Sequence, residues 1–216
     1  LVIAADDFAD LVSGKNQLVD THLREDGQGK LGEYAAAPDF DAPPPDITRP
    51  QGSDIWQICY TTGSTGNPKG AIWRHSGVLA VLGFSQLDLQ MNEDDVFLHC
   101  LPAAGVPSVL SIWNVTLGFT NVIMPVFDPA LALDLIEKHR CSNLLFIPTM
   151  ITGVCEEYDR KPRDVSSLHR IYYGSASTPP ALVRRAGEVF KGTELVQVYG
   201  STEGAGGRFT LFSFSL

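Results

Sequence analysis

From residue 55 onward, short apolar runs alternate with longer segments whose apolar residues recur at helical spacing. Seven of the short runs have the length and the aromatic or β-branched content of strands. They are residues 55–60, 71–74, 95–100, 120–124, 143–146, 170–173 and 194–199. Strands that alternate with helices are typical of α/β layers. We therefore predict an α/β fold, a layered sheet with parallel strands and flanking helices.

The same pattern predicts helices near 106–117, from 128, from 148 and from 178. Asp128 and Pro129 have the residue types of an N-cap and a first helical position. The helix that they open is predicted to place one apolar set on a single face: Leu131, Leu135 and Ile136. The last helix should end by Gly192. It is predicted to bury Leu182, Val183, Ala186, Val189 and Phe190.

Residues 100–127 contain no charged residue over 28 positions, which is long enough to raise the question of a membrane span. Pro102, Pro107 and Pro125 interrupt this segment. We therefore expect a buried helix and a strand here, and no transmembrane segment.

The net charge and the cysteine content indicate which kinds of partner and which cellular compartment are expected. A net charge of −9 argues against a nucleic acid as partner, because phosphate backbones attract basic surfaces. The four cysteines form no Cys-x-x-Cys pair and stand mostly in apolar runs. We interpret them as small buried thiols of a cytoplasmic protein and not as disulfides.

Residues 61–70 follow the first predicted strand and are rich in hydrogen-bond donors. Three glycines let the backbone approach an anion closely, four hydroxyl groups add donors, and Lys69 adds a positive charge. The glycines are Gly63, Gly66 and Gly70, and the hydroxyl residues are Thr61, Thr62, Ser64 and Thr65. This composition predicts a phosphate-binding loop.

The loop does not have the spacing of a Walker A motif. That motif has four residues between its glycines and continues from Gly-Lys-Ser/Thr into a helix. Here two residues separate Gly63 from Gly66, Gly70 follows Lys69, and a strand-like run comes next. The P-loop NTPases are therefore excluded.

Two later segments make the assignment specific. Residues 199–203 read Tyr-Gly-Ser-Thr-Glu after a predicted strand, and residues 170–176 read Arg-Ile-Tyr-Tyr-Gly-Ser-Ala. Together with residues 60–70, in the same order and spacing, they resemble the signature segments of the adenylate-forming (AMP-binding) superfamily. The resemblance is greatest to acyl-CoA synthetases and covers residues 50–205.

The resemblance implies ATP-dependent adenylation of a carboxylic acid, followed by transfer of the acyl group to coenzyme A. It implies catalytic roles for Lys69, Thr202 and Glu203, with Glu203 holding Mg²⁺ and Thr202 reaching the α-phosphate. Tyr199 would stack on adenine. The implied nucleotide-binding residues are Thr61, Thr62, Gly63, Ser64, Thr65, Gly66, Lys69, Gly174, Ser175, Ala176, Tyr199, Gly200 and Thr202.

The resemblance also suggests how the chain is organised, as part of the large N-terminal domain of an adenylate-forming enzyme. We assign residues 1–34 to the end of a preceding α/β unit, 35–54 to a proline-rich connector and 55–205 to the nucleotide-binding core. Residues 206–216 stay unassigned, although one more strand is compatible with them. The first residue is not Met, and the family's ribose-binding Asp, hinge and C-terminal Lys find no match before the last residue. We therefore expect an incomplete central fragment, inactive by itself.

One segment departs from the family pattern and bears on the substrate. Small residues occupy 103–105, where the family often has an aromatic residue and His. No Asp is present there to pair with an ammonium group, so an amino-acid substrate is disfavoured. The apolar residues that follow fit a fatty or other hydrophobic acid, and they fit a plain core equally well. A carrier-protein thiol acceptor and a non-catalytic nucleotide-binding fragment stay open as alternatives.

Overall fold

The computed structural model describes residues 2–5, 20–23, 49–61, 67–89, 93–102, 106–204 and 212–214. The chain divides into two compact units, Leu1–Arg49 and Pro50–Leu216. In the first unit, strand β1 (Val2–Ala5) pairs in parallel with β2 (Asp20–Leu23). The finer subdivision at 34/35, 54/55 and 205/206 stays a prediction, and residues 35–48 of the proposed connector lie outside the described residues.

The second unit begins with an antiparallel hairpin of β3 (Ile55–Thr61) and β4 (Lys69–Arg74). The register slips by a bulge between Ile55 and Gln57, which leaves Trp56 unpaired in the ladder. The ring of Trp56 stacks on that of Trp73 at a centroid distance of 6.3 Å. A bulge re-aims a side chain in this way, and here it places two indole rings on the same side of the hairpin.

The remaining strands form one six-stranded sheet. They are β5 (Val96–His99), β6 (Thr120–Ile123), β7 (Asn143–Phe146), β8 (Arg170–Gly174), β9 (Glu194–Val198) and β10 (Phe212–Phe214). The order across the sheet is β10-β9-β8-β7-β5-β6. Strands β5 to β9 run parallel, as predicted, and β10 adds an antiparallel edge.

Five helices accompany these strands within the described residues. They are α1 (His75–Leu89), α2 (Val106–Thr116), α3 (Pro129–His139), α4 (Pro148–Arg160) and α5 (Pro180–Val189). Side chains of α3, α4 and α5 pack with Leu98, Leu144 and Ile171 in the largest apolar cluster. Phe97 and Tyr172 belong to a different cluster, because successive strand residues point to opposite faces. The parallel sheet is thus buried on both faces, as parallel sheets require.

Helix α3 confirms the predicted cap and corrects the predicted face. The Asp128 carboxylate accepts a hydrogen bond from the Leu131 backbone N–H at 2.7 Å, and Pro129 is the first helical residue. Ile136 is fully buried, but Leu131 is 42% exposed. Ala132 and Leu133 face the core instead, because the buried stripe begins one residue later than the apolar spacing suggested.

The prediction of buried, unpaired thiols is confirmed: Cys59, Cys100, Cys141 and Cys155 are all free and buried. Burial raises the pKa of Cys100 to about 12, and it raises that of Cys141 and of Cys155 to about 11. Among the helices that the structure describes, none has the length and apolar character needed to cross a membrane.

Candidate active site

The carboxyl ends of β8 and β9 lie side by side, which brings two of the predicted segments together. Gly174 pairs with Val198 in the ladder, so residues 174–176 leave the sheet beside residues 199–203. A Cβ atom on Gly174 would lie 2.3 Å from the Val198 carbonyl oxygen. Only glycine permits this approach, because the atom it would meet belongs to the backbone. Open α/β sheets bind ligands at such carboxyl ends.

The backbone beyond Gly174 holds a conformation that side chains disfavour. Ser175 has φ of 66°, in the left-handed region. Both Ser175 and Ala176 are exposed, so the segment that directly follows β8 is open to solvent. Non-glycine residues in this region cost free energy and concentrate at functional sites.

Tyr199 follows directly on the buried end of β9. Val198 is 9% exposed, whereas Tyr199 is 71% exposed. An aromatic ring with this much free surface can stack on a planar group without first leaving a core. The Tyr199 ring therefore lies next to residues 174–176 and is free to stack on a planar ligand.

A single turn of 3-10 helix, Thr202–Gly204, comes next. The Gly204 N–H donates to the Ser201 carbonyl at 3.2 Å and closes the turn. Glu203 is exposed and Thr202 is half-buried. The Trp73 indole N–H donates to the Thr202 carbonyl at 2.6 Å, which ties this turn to the hairpin.

The hairpin carries Thr61 and Lys69 opposite each other at the end where the connecting loop begins and ends. Because strand side chains alternate, Lys69 shares a face of β4 with Trp73, four residues further on. This is the face that meets the Thr202 turn. The Thr61 hydroxyl donates to the Lys69 carbonyl over 3.4 Å, a long hydrogen bond. Lys69 is exposed, and no carboxylate in the described ranges forms a salt bridge with it.

In the described part of the chain, the candidate residues lie in three segments: residues 174–176, Tyr199 with the Thr202 turn, and the loop end of the hairpin. The described part contains no group of three or more His, Cys, Asp or Glu residues that could hold a metal ion. A lone exposed carboxylate such as Glu203 suits Mg²⁺, which commonly takes one or two protein carboxylates together with substrate phosphates. Thr62, Gly63, Ser64, Thr65 and Gly66 lie outside the described residues, as do residues 103–105.

Sequence reasoning missed a buried polar cluster at the end of β5. Nε2 of His99 lies 2.5 Å from Oδ1 of Asn121 in β6, and the Asn114 side-chain amide of α2 donates to the same oxygen at 3.1 Å. An amide oxygen only accepts hydrogen bonds, so we assign the imidazole proton to Nε2. Burial lowers the pKa of His99, and the hydrogen bond to Asn121 opposes that shift. The signal in the sequence was a histidine within an otherwise apolar strand.

Sequence and structure comparisons show the family of the chain. The family described as AMP-binding enzyme matches residues 2–213. Indoleacetate–CoA ligase of Aromatoleum aromaticum is 36% identical over 68% of this chain and 29% of its own length. Feruloyl-CoA synthase of Amycolatopsis sp. is 32% identical over 83% of this chain and 36% of its own. Medium/long-chain-fatty-acid–CoA ligase FadD8 of Mycobacterium tuberculosis is 27% identical over 84% and 31%.

Solved structures also resemble the chain. The N-terminal domain of FACL13 from Mycobacterium tuberculosis superposes with a TM-score of 0.78, covering 96% of this chain and 52% of that one at 24% identity. O-succinylbenzoate coenzyme A synthetase from Bacillus subtilis, in complex with ATP and magnesium ion, gives a TM-score of 0.62 at 29% identity, over 71% and 32%. The chain spans about a third of the length of the curated relatives above. It belongs to the AMP-binding enzyme family and has the fold of part of the N-terminal domain of adenylate-forming enzymes.

Proposed function

We propose that this chain is the nucleotide-binding core of an AMP-forming carboxylate–CoA ligase. The observation that carries the proposal is that two of the predicted segments lie side by side at the carboxyl ends of β8 and β9, and that the hairpin contacts the second of them. Gly174 pairs with Val198 directly before Tyr199, and the Trp73 indole binds the Thr202 carbonyl. Membership of the family and the CoA-ligase names of the relatives support the reaction class.

The chemistry follows from the poor leaving group of a carboxylate. A carboxylate oxygen attacks the α-phosphorus of ATP, the bond to the bridging oxygen breaks, and pyrophosphate leaves. The sulfur of coenzyme A then attacks the acyl carbon, the carbon–oxygen bond to AMP breaks, and the thiol proton passes to solvent. Phosphoryl transfer of this kind depends on positioning and on charge neutralisation more than on covalent catalysis.

Each described residue has a proposed role that suits its surroundings. The exposed ring of Tyr199 would stack on adenine, and the backbone at 174–176 would line the other side. Exposed Lys69 would neutralise charge on the departing pyrophosphate. Thr202 would reach the α-phosphate, and Glu203 would hold Mg²⁺, which supplies further charge neutralisation when bound.

The same proposal extends to the rest of the predicted phosphate loop, of which residues 62–66 lie outside the described ranges. We propose that Thr61 to Gly66 enclose the β- and γ-phosphates with hydroxyl and backbone N–H groups, and that Gly200 leaves room for the nucleotide. The support is the donor-rich sequence and the position of Thr61 opposite Lys69 at the loop end of the hairpin.

We propose a fatty or other hydrophobic acid as the substrate. The curated relatives named above act on indoleacetic, ferulic and medium- to long-chain fatty acids by their names. These acids share a carboxylate on a largely apolar body and carry no ammonium group. The proposal includes a cytoplasmic location, supported by four free buried thiols, and small molecules instead of nucleic acid as partners, supported by the net charge of −9.

The test is acid-dependent exchange of labelled pyrophosphate into ATP by the full-length natural protein. A panel of fatty acids of increasing length, aryl acids and amino acids should give exchange with the apolar acids. Rates should rise with chain length and then level off, since each buried methylene contributes about 0.8 kcal/mol. CoA thioester formation, measured in parallel, distinguishes CoA from a carrier-protein acceptor. Nucleotide binding without exchange for any acid would contradict the ligase proposal.

A further inference from the structure

Trp73 occupies a position that connects the two halves of the candidate site. It is 1% exposed, although it lies in a two-stranded hairpin with an open outer face. Its ring packs in a cluster with Cys59, Val78 and Val109 and stacks on Trp56 with an angle of 7° between the planes. A ring held on several sides has little freedom to turn, so the direction of its N–H group is fixed.

That N–H group ends on the Thr202 carbonyl oxygen at 2.6 Å, across 129 residues of sequence. Among the hydrogen bonds described for residues 201–204, this one alone reaches outside the turn. The turn otherwise depends on the chain that leads into it from β9. The bond therefore sets the position of Thr202 and Glu203 relative to the hairpin.

The hairpin in turn carries Lys69 on the same face as Trp73. Lys69 lies four residues from Trp73, about 13 Å along the strand. Thr202 and Glu203 are thereby held in register with Lys69 through one side chain. Transition-state stabilisation depends on such fixed geometry, because charged groups must already stand where charge develops.

We propose that Trp73 is a positioning residue for adenylation: its indole N–H holds the Thr202–Gly204 turn against the strand that carries Lys69. This inference rests on the proposed ligase function. Trp73 would therefore affect Mg²⁺-dependent adenylation, in addition to stabilising the apolar cluster in which its ring packs. Trp56 provides the matched comparison, since it is a second indole of the same cluster and donates no hydrogen bond to a described residue.

The experiment compares Trp73→Phe with Trp56→Phe in the full-length natural protein. Both variants remove an indole from the same cluster, so both should lower the urea midpoint. At a temperature well below unfolding, Trp73→Phe should lower kcat for acid-dependent pyrophosphate exchange by roughly 10-fold and raise the half-saturating Mg²⁺ concentration. The KM for the acid should stay at the parent value. Trp56→Phe should keep the parent kcat and Mg²⁺ dependence.

A second substitution protects the test against misfolding. Benzothienylalanine, incorporated at position 73, keeps the shape of the ring and has sulfur in place of N–H. It should reproduce the loss of kcat with nearly parental stability. Parental kcat and Mg²⁺ dependence in this protein, or equal losses in the Trp73 and Trp56 variants, would overturn the positioning role. A parent protein without exchange for any acid would instead overturn the ligase proposal on which the role rests.

Discussion

Polar side chains at the amino ends of the central strands are buried or half-buried, whereas most of those that follow β9 at its carboxyl end are exposed. At the amino ends of the strands, the Asp95 carboxylate accepts from the Ser142 hydroxyl at 2.7 Å and from the Asn143 amide at 2.6 Å, and all three residues are buried. Arg170 pairs with Glu194 across β8 and β9 at 2.5 Å. At the carboxyl ends, Tyr199 and Glu203 are exposed.

The difference separates polar residues that hold the sheet together from those that remain available to a ligand. Buried polar groups are generally hydrogen-bonded. The Ser142 hydroxyl and the Asn143 amide N–H group both donate within the amino-end network, although the buried Asn143 Oδ1 has no hydrogen-bond partner among the described residues. The carboxyl end leaves a ring, a carboxylate and a strained backbone turn facing solvent. Substitutions at the two ends should therefore change different quantities.

The largest effect should come from Asp95→Ala at the amino end. The change leaves two buried donors, on Ser142 and Asn143, without their shared acceptor. We expect a loss of about 3–5 kcal/mol in the free energy of unfolding, measured by urea titration. Activity per folded molecule should be unchanged. Asp128→Ala, which removes an exposed cap, should cost only about 1 kcal/mol. An Asp95 variant as stable as the Asp128 variant would argue against a structural network.

Lys69→Ala in the full-length natural protein should show the reverse pattern. Lys69 is exposed at the start of β4, so the free energy of unfolding should change by less than about 0.5 kcal/mol. Pyrophosphate exchange should lose about 2–4 kcal/mol of transition-state stabilisation. Lys191→Ala, at another exposed lysine, serves as the control. Unchanged exchange in the Lys69 variant would remove this residue from the phosphate site.

Gly174→Ala should lower both the stability of the fold and the affinity for nucleotide. The added Cβ would meet the Val198 carbonyl oxygen at 2.3 Å, so β8 and β9 must separate at the site. We expect a loss of about 1–3 kcal/mol in stability, together with weaker nucleotide binding. Gly83→Ala in α1 meets no atom within 4 Å and should be neutral or stabilising, because alanine favours the helix. Equal unfolding midpoints for the two variants would show that the strand ends relax freely.

Glu203→Gln should weaken Mg²⁺ binding and leave the binding of adenosine nearly unchanged. Glutamine keeps the size of the side chain and lacks its charge, so roughly 10-fold more Mg²⁺ should be needed for half-maximal exchange. Binding of adenosine, which depends on stacking with Tyr199, should be nearly unchanged. Glu156→Gln, on the exposed face of α4, provides the matched control. A variant with the parental Mg²⁺ titration would leave Glu203 as a solvated charge.

The smallest effect concerns His99, whose cluster lies at the carboxyl end but is buried. Its folded pKa lies below the ordinary value of 6.5, because burial disfavours the charged ring. The unfolded state therefore takes up protons first, and stability present above pH 6.5 should fall as the pH drops below it. The urea midpoint of the parent protein should fall between pH 7.5 and pH 5, and this pH dependence should be weaker in His99→Gln. The exposed His139→Gln should retain the parental slope.

Much of the fold follows from local patterns. The apolar runs located strands β3 to β9, and the Asp128–Pro129 pair located the start of α3, because both signals act within a few residues. The strand order could not be read in this way, since β7 lies between β5 and β8 and places β6 at the edge. Nor could the Trp73–Thr202 bond, which joins residues 129 positions apart. The role of each candidate residue in the site stays a prediction, because its test requires bound substrates.

The four free thiols give this chain a set of internal reporters. They lie in the hairpin, after β5, before β7 and in α4, and all are buried. Cys100, with a pKa raised to about 12, has few thiolate anions at neutral pH even where an alkylating reagent could reach it. Labelling of Cys100 by an alkylating reagent therefore requires the sheet to open, whereas labelling of Cys59 requires only the hairpin to lift. Mass spectrometry of a timed alkylation would rank these openings, and a nucleotide that clamps the hairpin should slow the labelling of Cys59 first.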